Sequence, residues 1–307
     1  MNAAGSTGAA VPADRSWYEA SARARLDGLL DPGSFGELLG PRTRTLSPHL
    51  AMLDLPGAFD DGIVVGSGRL AGRAVLVAAQ EGAFMGGAVG EVHGAKLAGL
   101  LRRACALRPD GVLLLPDSGG VRLHEANAGL IALSEIIHGL LAVRAAGIPV
   151  LALIGGSNGA FGGMGIAARC CDHVIMSEEG RLALSGPEVI ETVRGVEEFD
   201  ARDRALVWRT TGGKHRYLLG EADALVADGI GAFRTAALAA LAADDAHRAD
   251  DLDALTAAHA ALVRRSARYG ACRDGLEIWR AQGIAEPERL PLLDAPDFLA
   301  AVAGRDA

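Results

Sequence analysis

The sequence is poor in lysine and has no concentration of positive charge. Among 307 residues there are 30 Lys and Arg against 38 Asp and Glu, and only Lys96 and Lys214 are lysines. The formal net charge is −8. Short arginine clusters at 42–44 and 102–103 are typical of solvated faces. Because nothing forms a basic stripe, the composition argues against a nucleic-acid-binding protein.

Paired cysteines and long apolar runs are also missing. The four cysteines include no C-x-x-C pair and no zinc-ligand spacing, so we expect no metal site and a reducing cytoplasmic setting. No uninterrupted apolar run reaches about 18 residues, so we expect no membrane span. The first 14 residues lack the basic start and apolar core of a signal peptide and are typical of a flexible tail.

Glycine, by contrast, is abundant, with 41 residues concentrated in particular turns. Three times an apolar strand is followed by a glycine-rich turn and then by a helical pattern, at 82–87, 117–120 and 155–165. Glycine allows positive φ and lets a ligand approach main-chain N–H groups closely. When such N–H groups precede a helix, they stabilise negative charge. The repeated unit therefore predicts a protein that holds an oxyanion.

The order of elements predicts a layered α/β core. A hairpin-like strand pair lies at 63–78, and short apolar strands at 111–116, 149–154 and 172–176 alternate with helices predicted at 89–107, 121–146 and 160–170. Strand, turn and helix in succession imply parallel pairing with right-handed crossovers. The chain is then helical almost throughout after Asp200. We expect a tail at 1–14, a main domain at 15–245 and a helical extension at 246–307.

The turn at 117–120 carries the strongest chemical motif. The amides of Gly119, Gly120 and Val121 can converge on a carbonyl oxygen that becomes an oxyanion or enolate. Arg122 and His124 are expected in the first helical turn, where they contact a ligand or support the loop. The alternative is a tight structural turn at a solvated helix start.

Other motifs are weaker. Gly155-Gly156-Ser157-Asn158-Gly159 matches a nucleophile elbow between a strand and a helix, although a serine in a glycine-rich turn is the favoured interpretation. The G-x-G-x-x-A match at 66–71 is followed by a strand, so a hairpin is expected there rather than a dinucleotide site. His93 and Lys96 are expected to have surface or supporting roles.

Four stretches in order, at 22–35, 84–96, 117–122 and 185–191, resemble the carboxyltransferase family of the crotonase-like superfamily. The chain lacks the N-terminal four-cysteine zinc ribbon of the acetyl-CoA carboxylase β subunit. Its segments 155–165 and 199–217 instead resemble the β subunit of biotin-independent malonate decarboxylase. The resemblance implies a crotonase/ClpP-like spiral of β-β-α units with a helical C-terminal part. It also implies a γ subunit of related fold as partner, and a malonyl thioester on an acyl carrier protein.

In that family no cofactor is bound permanently, and a CoA-like phosphopantetheine arm arrives with the substrate. Gly119, Gly120 and Val121 are then predicted to be catalytic, and the predicted substrate-binding residues are Gly86, Gly87, Ser118, Arg122, His124, Gly162 and Gly163. Loss of CO2 leaves an enolate, which amide donors stabilise without a nucleophile. The alternatives are a carboxyltransferase subunit of a biotin-dependent acyl-CoA carboxylase, a non-catalytic scaffold that completes its partner's site and, more remotely, a serine hydrolase.

Overall fold

The computed structural model describes residues 14–243 and 251–304. In this part of the chain seven strands form one sheet in sequence order. The strands are Gly36–Glu37 (β1), Ile63–Leu70 (β2), Arg73–Gln80 (β3), Gly111–Leu115 (β4), Val150–Ile154 (β5), His173–Ser177 (β6) and Ala224–Val226 (β7). The helices are Ala22–Leu29 (α1), Pro48–Met52 (α2), Glu91–Leu107 (α3), Ala128–Ala145 (α4), Gly163–Arg169 (α5), Pro187–Arg194 (α6), Arg204–Thr211 (α7), Gly213–Leu218 (α8), Ile230–Ala242 (α9), Leu252–Tyr269 (α10), Gly275–Ala281 (α11) and Ala295–Val302 (α12).

The first three strands are antiparallel, and β3 to β7 are parallel. The predicted hairpin is confirmed, since Leu70 pairs with Arg73 across a two-residue turn. Ala71 and Gly72 both have positive φ in that turn, as a tight hairpin requires. Gly66 and Gly68 lie inside β2, so they form no phosphate-binding turn.

A second, much smaller ladder runs through the turns beyond the strands. Single parallel bridges join Val89 to Val121, Ser118 to Ala160, and Ala160 to Leu182. Each unit therefore contributes a long strand, a one-residue bridge and a helix. This is the β-β-α repeat that the family resemblance implies.

The sheet is buried on both faces, which explains why the central strands β4 and β5 carry no polar side chain. On one face it packs with α3, α4 and α5. On the other it packs with α1 and α9, where the Trp17 and Phe233 rings stack with centroids 4.1 Å apart. A third apolar cluster joins α11 and α12 to α8 and β7.

Some predicted helix bounds are wrong. The helix expected from residue 121 begins at Ala128, after a short 3-10 turn at Leu123–Glu125. Two observations explain this: Val121 is held in the second ladder, and Ala126 adopts φ 50° and ψ −122°, outside the helical region. Strand β7 was not predicted, because it has only three residues within an otherwise helical stretch.

The predicted domain bounds stay predictions. The tail at 1–13 and residues 244–250 and 305–307 lie outside the described residues. Asp14, at the expected end of the tail, accepts hydrogen bonds from Gly231 and Ala232 at the start of α9. Helix α10 carries no buried residue, whereas α11 buries Trp279 and α12 buries Phe298.

One described helix, α4, is long and apolar enough to cross a membrane by length and composition alone. It buries Ile136, Leu140 and Val143 against the sheet and α3. Other apolar residues of α4, namely Leu130, Ile131 and Leu141, are exposed to solvent.

Candidate active site

The three glycine turns lie together at the carboxyl edge of the parallel strands and are joined by main-chain hydrogen bonds. Gly119 donates to the Gly86 carbonyl at 2.9 Å, which links the second turn to the first. Ser118 donates to the Gly159 carbonyl at 2.7 Å, and Phe161 donates back to Ser118 at 2.9 Å. The second turn is therefore held from both sides.

These bonds determine which amides of the second turn are free. The Gly119 amide is engaged by Gly86, and the Gly120 amide lies 3.2 Å from the Ser118 hydroxyl oxygen. The Val121 amide donates to no acceptor among the described residues. The ladder bonds at this point are made by its neighbours: the Gly120 carbonyl accepts from the Val89 N–H, and the Arg122 N–H donates to the Val89 carbonyl. Val121 is half-buried. Of the three predicted catalytic amides, that of Val121 is the one left available.

Gly120 is the residue that gives the second turn its shape. Its φ is +139°, a region that side chains with a Cβ rarely adopt, and nothing lies within 4 Å of where a Cβ would be. The glycine is therefore needed for backbone conformation, and the space beside it is open.

The first and third turns border this open space. Gly86 and Gly87 have φ of +63° and +65°, and a Cβ on Gly87 would overlap the Asp117 carbonyl oxygen. Gly162 has φ +58°, and its Cβ would lie 3.3 Å from the Gly120 Cα. Gly163 follows it as the first residue of α5. The structure thus brings together the predicted glycines of all three turns.

The helix dipole does not act on the second turn as predicted. Only the third turn leads directly into a helix, since α4 begins eight residues after Gly120. The effect of a dipole falls off within the first turn of a helix. The second turn therefore offers main-chain donors without a dipole of its own.

Arg122 lies in a buried ion cluster. Its Nη1 contacts the Asp61 carboxylate oxygens at 2.8 and 2.9 Å and Glu125 Oε1 at 3.2 Å. Burial raises the pKa of Asp61 although Arg122 opposes this. In this arrangement Arg122 supports the turn, and its contact with substrate stays a prediction. His124 is exposed in the following 3-10 turn and is free to face a ligand.

His93 and Lys96 have supporting roles, as predicted, but inside the fold rather than on its surface. Lys96 Nζ donates to the carbonyls of Asp60 and Ile63 at 2.7 and 2.6 Å. His93 Nε2 lies 2.9 Å from Gln80 Nε2, and its Nδ1 lies 3.1 Å from the Asp61 carbonyl. Burial lowers the pKa of His93 to about 3, so its ring is neutral and does not serve as the acid.

Ser157 is exposed, and its hydroxyl contacts no histidine or carboxylate of the described residues within hydrogen-bond distance. Its carbonyl accepts a hydrogen bond from Arg181. This supports the interpretation of a serine in a structural turn. Within the described part of the chain, no group of three or more His, Cys, Asp or Glu is placed to hold a metal ion.

Two site residues were missed from the sequence. Arg25 and Asp117 form a buried ion pair at 2.9 Å beneath the glycine turns. They are 92 positions apart, so no local spacing signals their contact. Arg25 falls in one of the stretches that carry the family resemblance, and Asp117 begins the Ser118-Gly119-Gly120 motif.

Several large apolar side chains lie on the segments that follow the second and third glycine turns. They are exposed to solvent, and Leu123 is 83% exposed. The others are Leu130, Ile131, Ile166 and Leu184. We call these five residues the apolar rim. Exposed apolar side chains mark an interaction site in many proteins where they form a contiguous patch.

Residues 19–230 match the carboxyl transferase domain. The chain belongs to the carboxyl transferase family. It is 40% identical over 306 residues to malonyl-S-ACP:biotin-protein carboxyltransferase MADC of Malonomonas rubra, covering 94% of this chain and 95% of that protein.

Solved structures agree with this assignment. A chain of the Pseudomonas malonate decarboxylase hetero-tetramer in complex with malonate matches with a TM-score of 0.78 and 42% identity, covering 85% of this chain and 94% of that one. The transcarboxylase 12S structure matches with a TM-score of 0.60 and 26% identity, over 71% of this chain and 40% of that one. The resemblance to malonate decarboxylase and the crotonase-like fold predicted from the sequence are confirmed.

Proposed function

We propose that this chain is the β subunit of a malonyl-S-acyl-carrier-protein decarboxylase. The enzyme cleaves the bond between the malonyl α-carbon and the carboxylate, releases CO2 and leaves the electron pair on the thioester as an enolate. Protonation of the α-carbon then gives the acetyl thioester. Stabilising the enolate oxygen is the main task, and one well-placed amide donor contributes about 3 kcal/mol.

The observation that carries this proposal is the free Val121 amide beside the open space at Gly120. A thioester oxygen placed there accepts from Val121, and from Gly120 once the weak contact with Ser118 is exchanged. Gly119 keeps its bond to Gly86 and holds the turn in place. Gly86, Gly87, Gly162 and Gly163 form the walls for the acyl group and the phosphopantetheine arm.

A partner subunit completes the site in this proposal. The apolar rim is the surface that a γ subunit of related fold covers, and the partner supplies a second oxyanion hole for the carboxylate. The similar Pseudomonas protein is a hetero-tetramer, which supports a partner. The acyl carrier protein delivers its CoA-like arm with the substrate, no cofactor is bound permanently, and the enzyme works in the cytoplasm. Exposed His124 or a bound water donates the proton to the enolate.

The second candidate is a carboxyltransferase subunit that passes the carboxyl group to biotin. The name of the similar Malonomonas protein, a biotin-protein carboxyltransferase, favours it. Both candidates need the same enolate stabilisation, so the glycine turns do not separate them. Product analysis does: the first releases CO2 without biotin, and the second forms carboxybiotin on an acceptor protein.

The test compares two substitutions at one position in the reconstituted complex with its partner subunit. Val121→Pro removes the free N–H and breaks no internal hydrogen bond, because the ladder at this point uses Gly120 O and Arg122 N. Val121→Ala keeps the N–H. We expect Val121→Pro to lower kcat for CO2 release from malonyl-S-ACP by about 10²–10³-fold. Val121→Ala should stay within a few-fold of the wild type.

Equal activity of Val121→Pro and wild type, with both folded by thermal melting, would sink the assignment of this amide. Loss of activity only from substitutions in the partner, with none in this chain, would instead establish the scaffold alternative.

A further inference from the structure

A single buried carboxylate connects all three glycine turns. Asp117 stands directly before Ser118, and its side chain is 4% exposed. Its Oδ1 accepts from the Asn158 main-chain N–H in the third turn at 2.7 Å. The Asn158 side chain in turn donates to the Gly82 carbonyl of the first turn at 3.0 Å. Asp117 thus bonds one turn directly and reaches another through one residue.

The other carboxylate oxygen is held by Arg25. Arg25 Nη1 donates to Asp117 Oδ2 at 2.9 Å, and its side chain is 2% exposed. Arg25 Nε donates to the Trp17 carbonyl at 2.8 Å, and Nη2 lies 3.5 Å from the Tyr18 carbonyl. The guanidinium is therefore fixed by the segment before α1. A charge-assisted bond between two fixed, buried groups leaves the carboxylate little freedom to turn.

This carboxylate leaves no room for a side chain at two glycines. A Cβ on Gly82 would lie 2.7 Å from Asp117 Oδ2, and one on Gly156 would overlap the carboxyl carbon of Asp117. Glycine is thus required at both places because the carboxylate packs against the bare main chain. Asp117 of the second turn therefore explains why Gly82 of the first turn and Gly156 of the third turn are glycines.

We propose that Asp117, clamped by Arg25, is a positioning residue that sets the place of the Gly120 and Val121 amides relative to the other two turns. This inference rests on the proposed function, since it assigns the purpose of the turn to enolate stabilisation. Asp117 itself touches no reacting atom. A misplacement of about 1 Å at a catalytic donor costs about 10²-fold in rate, so a loosened clamp should lower kcat more than it alters KM.

The chain offers a matched control in a second buried ion pair. Arg144 Nε lies 3.0 Å from Asp172 Oδ1, and Asp172 also accepts from the Val150 N–H at 2.9 Å. This pair bridges α4 and the start of β6, at the opposite end of the strands from the turns. Asp117→Asn and Asp172→Asn each remove one buried charge from a carboxylate that pairs with an arginine and accepts from a main-chain N–H.

The experiment measures kcat, KM and thermal melting of both variants in the complex with the partner subunit. We expect comparable losses of melting temperature, a fall of kcat of roughly 10²-fold for Asp117→Asn with KM within about threefold, and near wild-type kcat for Asp172→Asn. Arg25→Lys, which keeps a donor, should recover part of the lost kcat relative to Arg25→Met. If Asp117→Asn fails to fold, the two Arg25 variants carry the same comparison.

A double variant separates this inference from the proposed function. If Asp117 acts through the turn, Asp117→Asn should cost little further kcat once Val121→Pro has removed the amide. Equal kcat in Asp117→Asn and Asp172→Asn, while Val121→Pro remains impaired, would overturn the clamp and leave the function standing. Full activity of Val121→Pro would overturn the proposed function itself.

Discussion

The second and third glycine turns look alike in sequence but differ in structure. Both follow a buried parallel strand, and both contain adjacent glycines. The third turn leads directly into α5, so helix N–H groups and a dipole follow Gly162. The second turn has no helix until Ala128, but it leaves the Val121 amide free. A glycine turn can therefore present main-chain N–H donors in two ways: at the start of a helix, or at a residue of a β-ladder whose N–H points away from the paired strand.

Two glycines, Gly87 and Gly163, differ in what lies against them. The second turn packs against the first through main-chain atoms, since a Cβ on Gly87 would overlap the Asp117 carbonyl oxygen. At Gly163 the third turn packs against a side chain, since a Cβ there would overlap Leu133 Cδ2 equally closely. Main chain held in a ladder cannot move aside, whereas the end of a leucine can.

The largest effect is therefore expected from Gly87→Ala. It combines overpacking against backbone with a left-handed φ of +65°, so unfolding free energy should fall by about 3 kcal/mol or more. Gly163→Ala, with a movable neighbour and a helical position, should cost about 1 kcal/mol. Urea unfolding of the two variants measures the difference. Similar losses in both would show that the first and second turns are no more rigidly coupled than the third turn and α4.

A smaller effect per pH unit is expected on acidification, because His93 supports the second turn through Gln80. Gln80 Oε1 accepts from the Asp117 N–H at 3.2 Å, so its amide nitrogen donates to a neutral His93. Burial, with the Arg122 charge adding, lowers the pKa of His93 from 6.5 to about 3. In the unfolded chain His93 therefore binds a proton below about pH 6.5, whereas in the folded protein it binds one only below about pH 3. Stability should be full above that window and fall within it by up to about 1.4 kcal/mol per pH unit.

His215 serves as the control for this measurement. Burial also lowers its pKa to about 3, but it lies in α8 and contacts Trp279 Nε1 at 3.2 Å. His93→Gln and His215→Gln should each make the fall of urea midpoint with acid less steep. Only His93→Gln should also lower kcat at neutral pH. An unchanged acid slope in His93→Gln would contradict the assignment of a neutral buried ring.

The smallest effect is expected at Ser157 in the third turn. Its exposed hydroxyl has no described histidine or carboxylate partner, so Ser157→Ala should leave kcat for CO2 release unchanged. A large loss of activity, or labelling of Ser157 by a serine-directed acylating reagent, would restore the nucleophile-elbow hypothesis and make the third turn the catalytic one.

Much of the fold followed from local pattern. The apolar runs of β3 to β6 predicted a parallel sheet, because strands buried on both faces lack alternation of polar and apolar residues. The strand after the turn at Ala71-Gly72 predicted a hairpin there and not a dinucleotide site. The onset of α4 was wrong because Val121 is recruited into a ladder with Val89, a residue 32 positions away. The helical periodicity of residues 121–146 depends only on neighbouring residues, so it does not indicate a distant partner such as Val89.

The sequence by itself determined the α/β class, the family, the three glycine turns and the kind of charge they suit, because strand patterning and glycine requirements are local. Only the tertiary structure decided that Gly119 is engaged by Gly86, that Val121 is free, and that Arg25 and Asp117 meet beneath the turns. Those outcomes depend on hydrogen bonds between distant segments. A main-chain N–H is available as a catalytic donor only when it does not already donate a hydrogen bond within the folded chain.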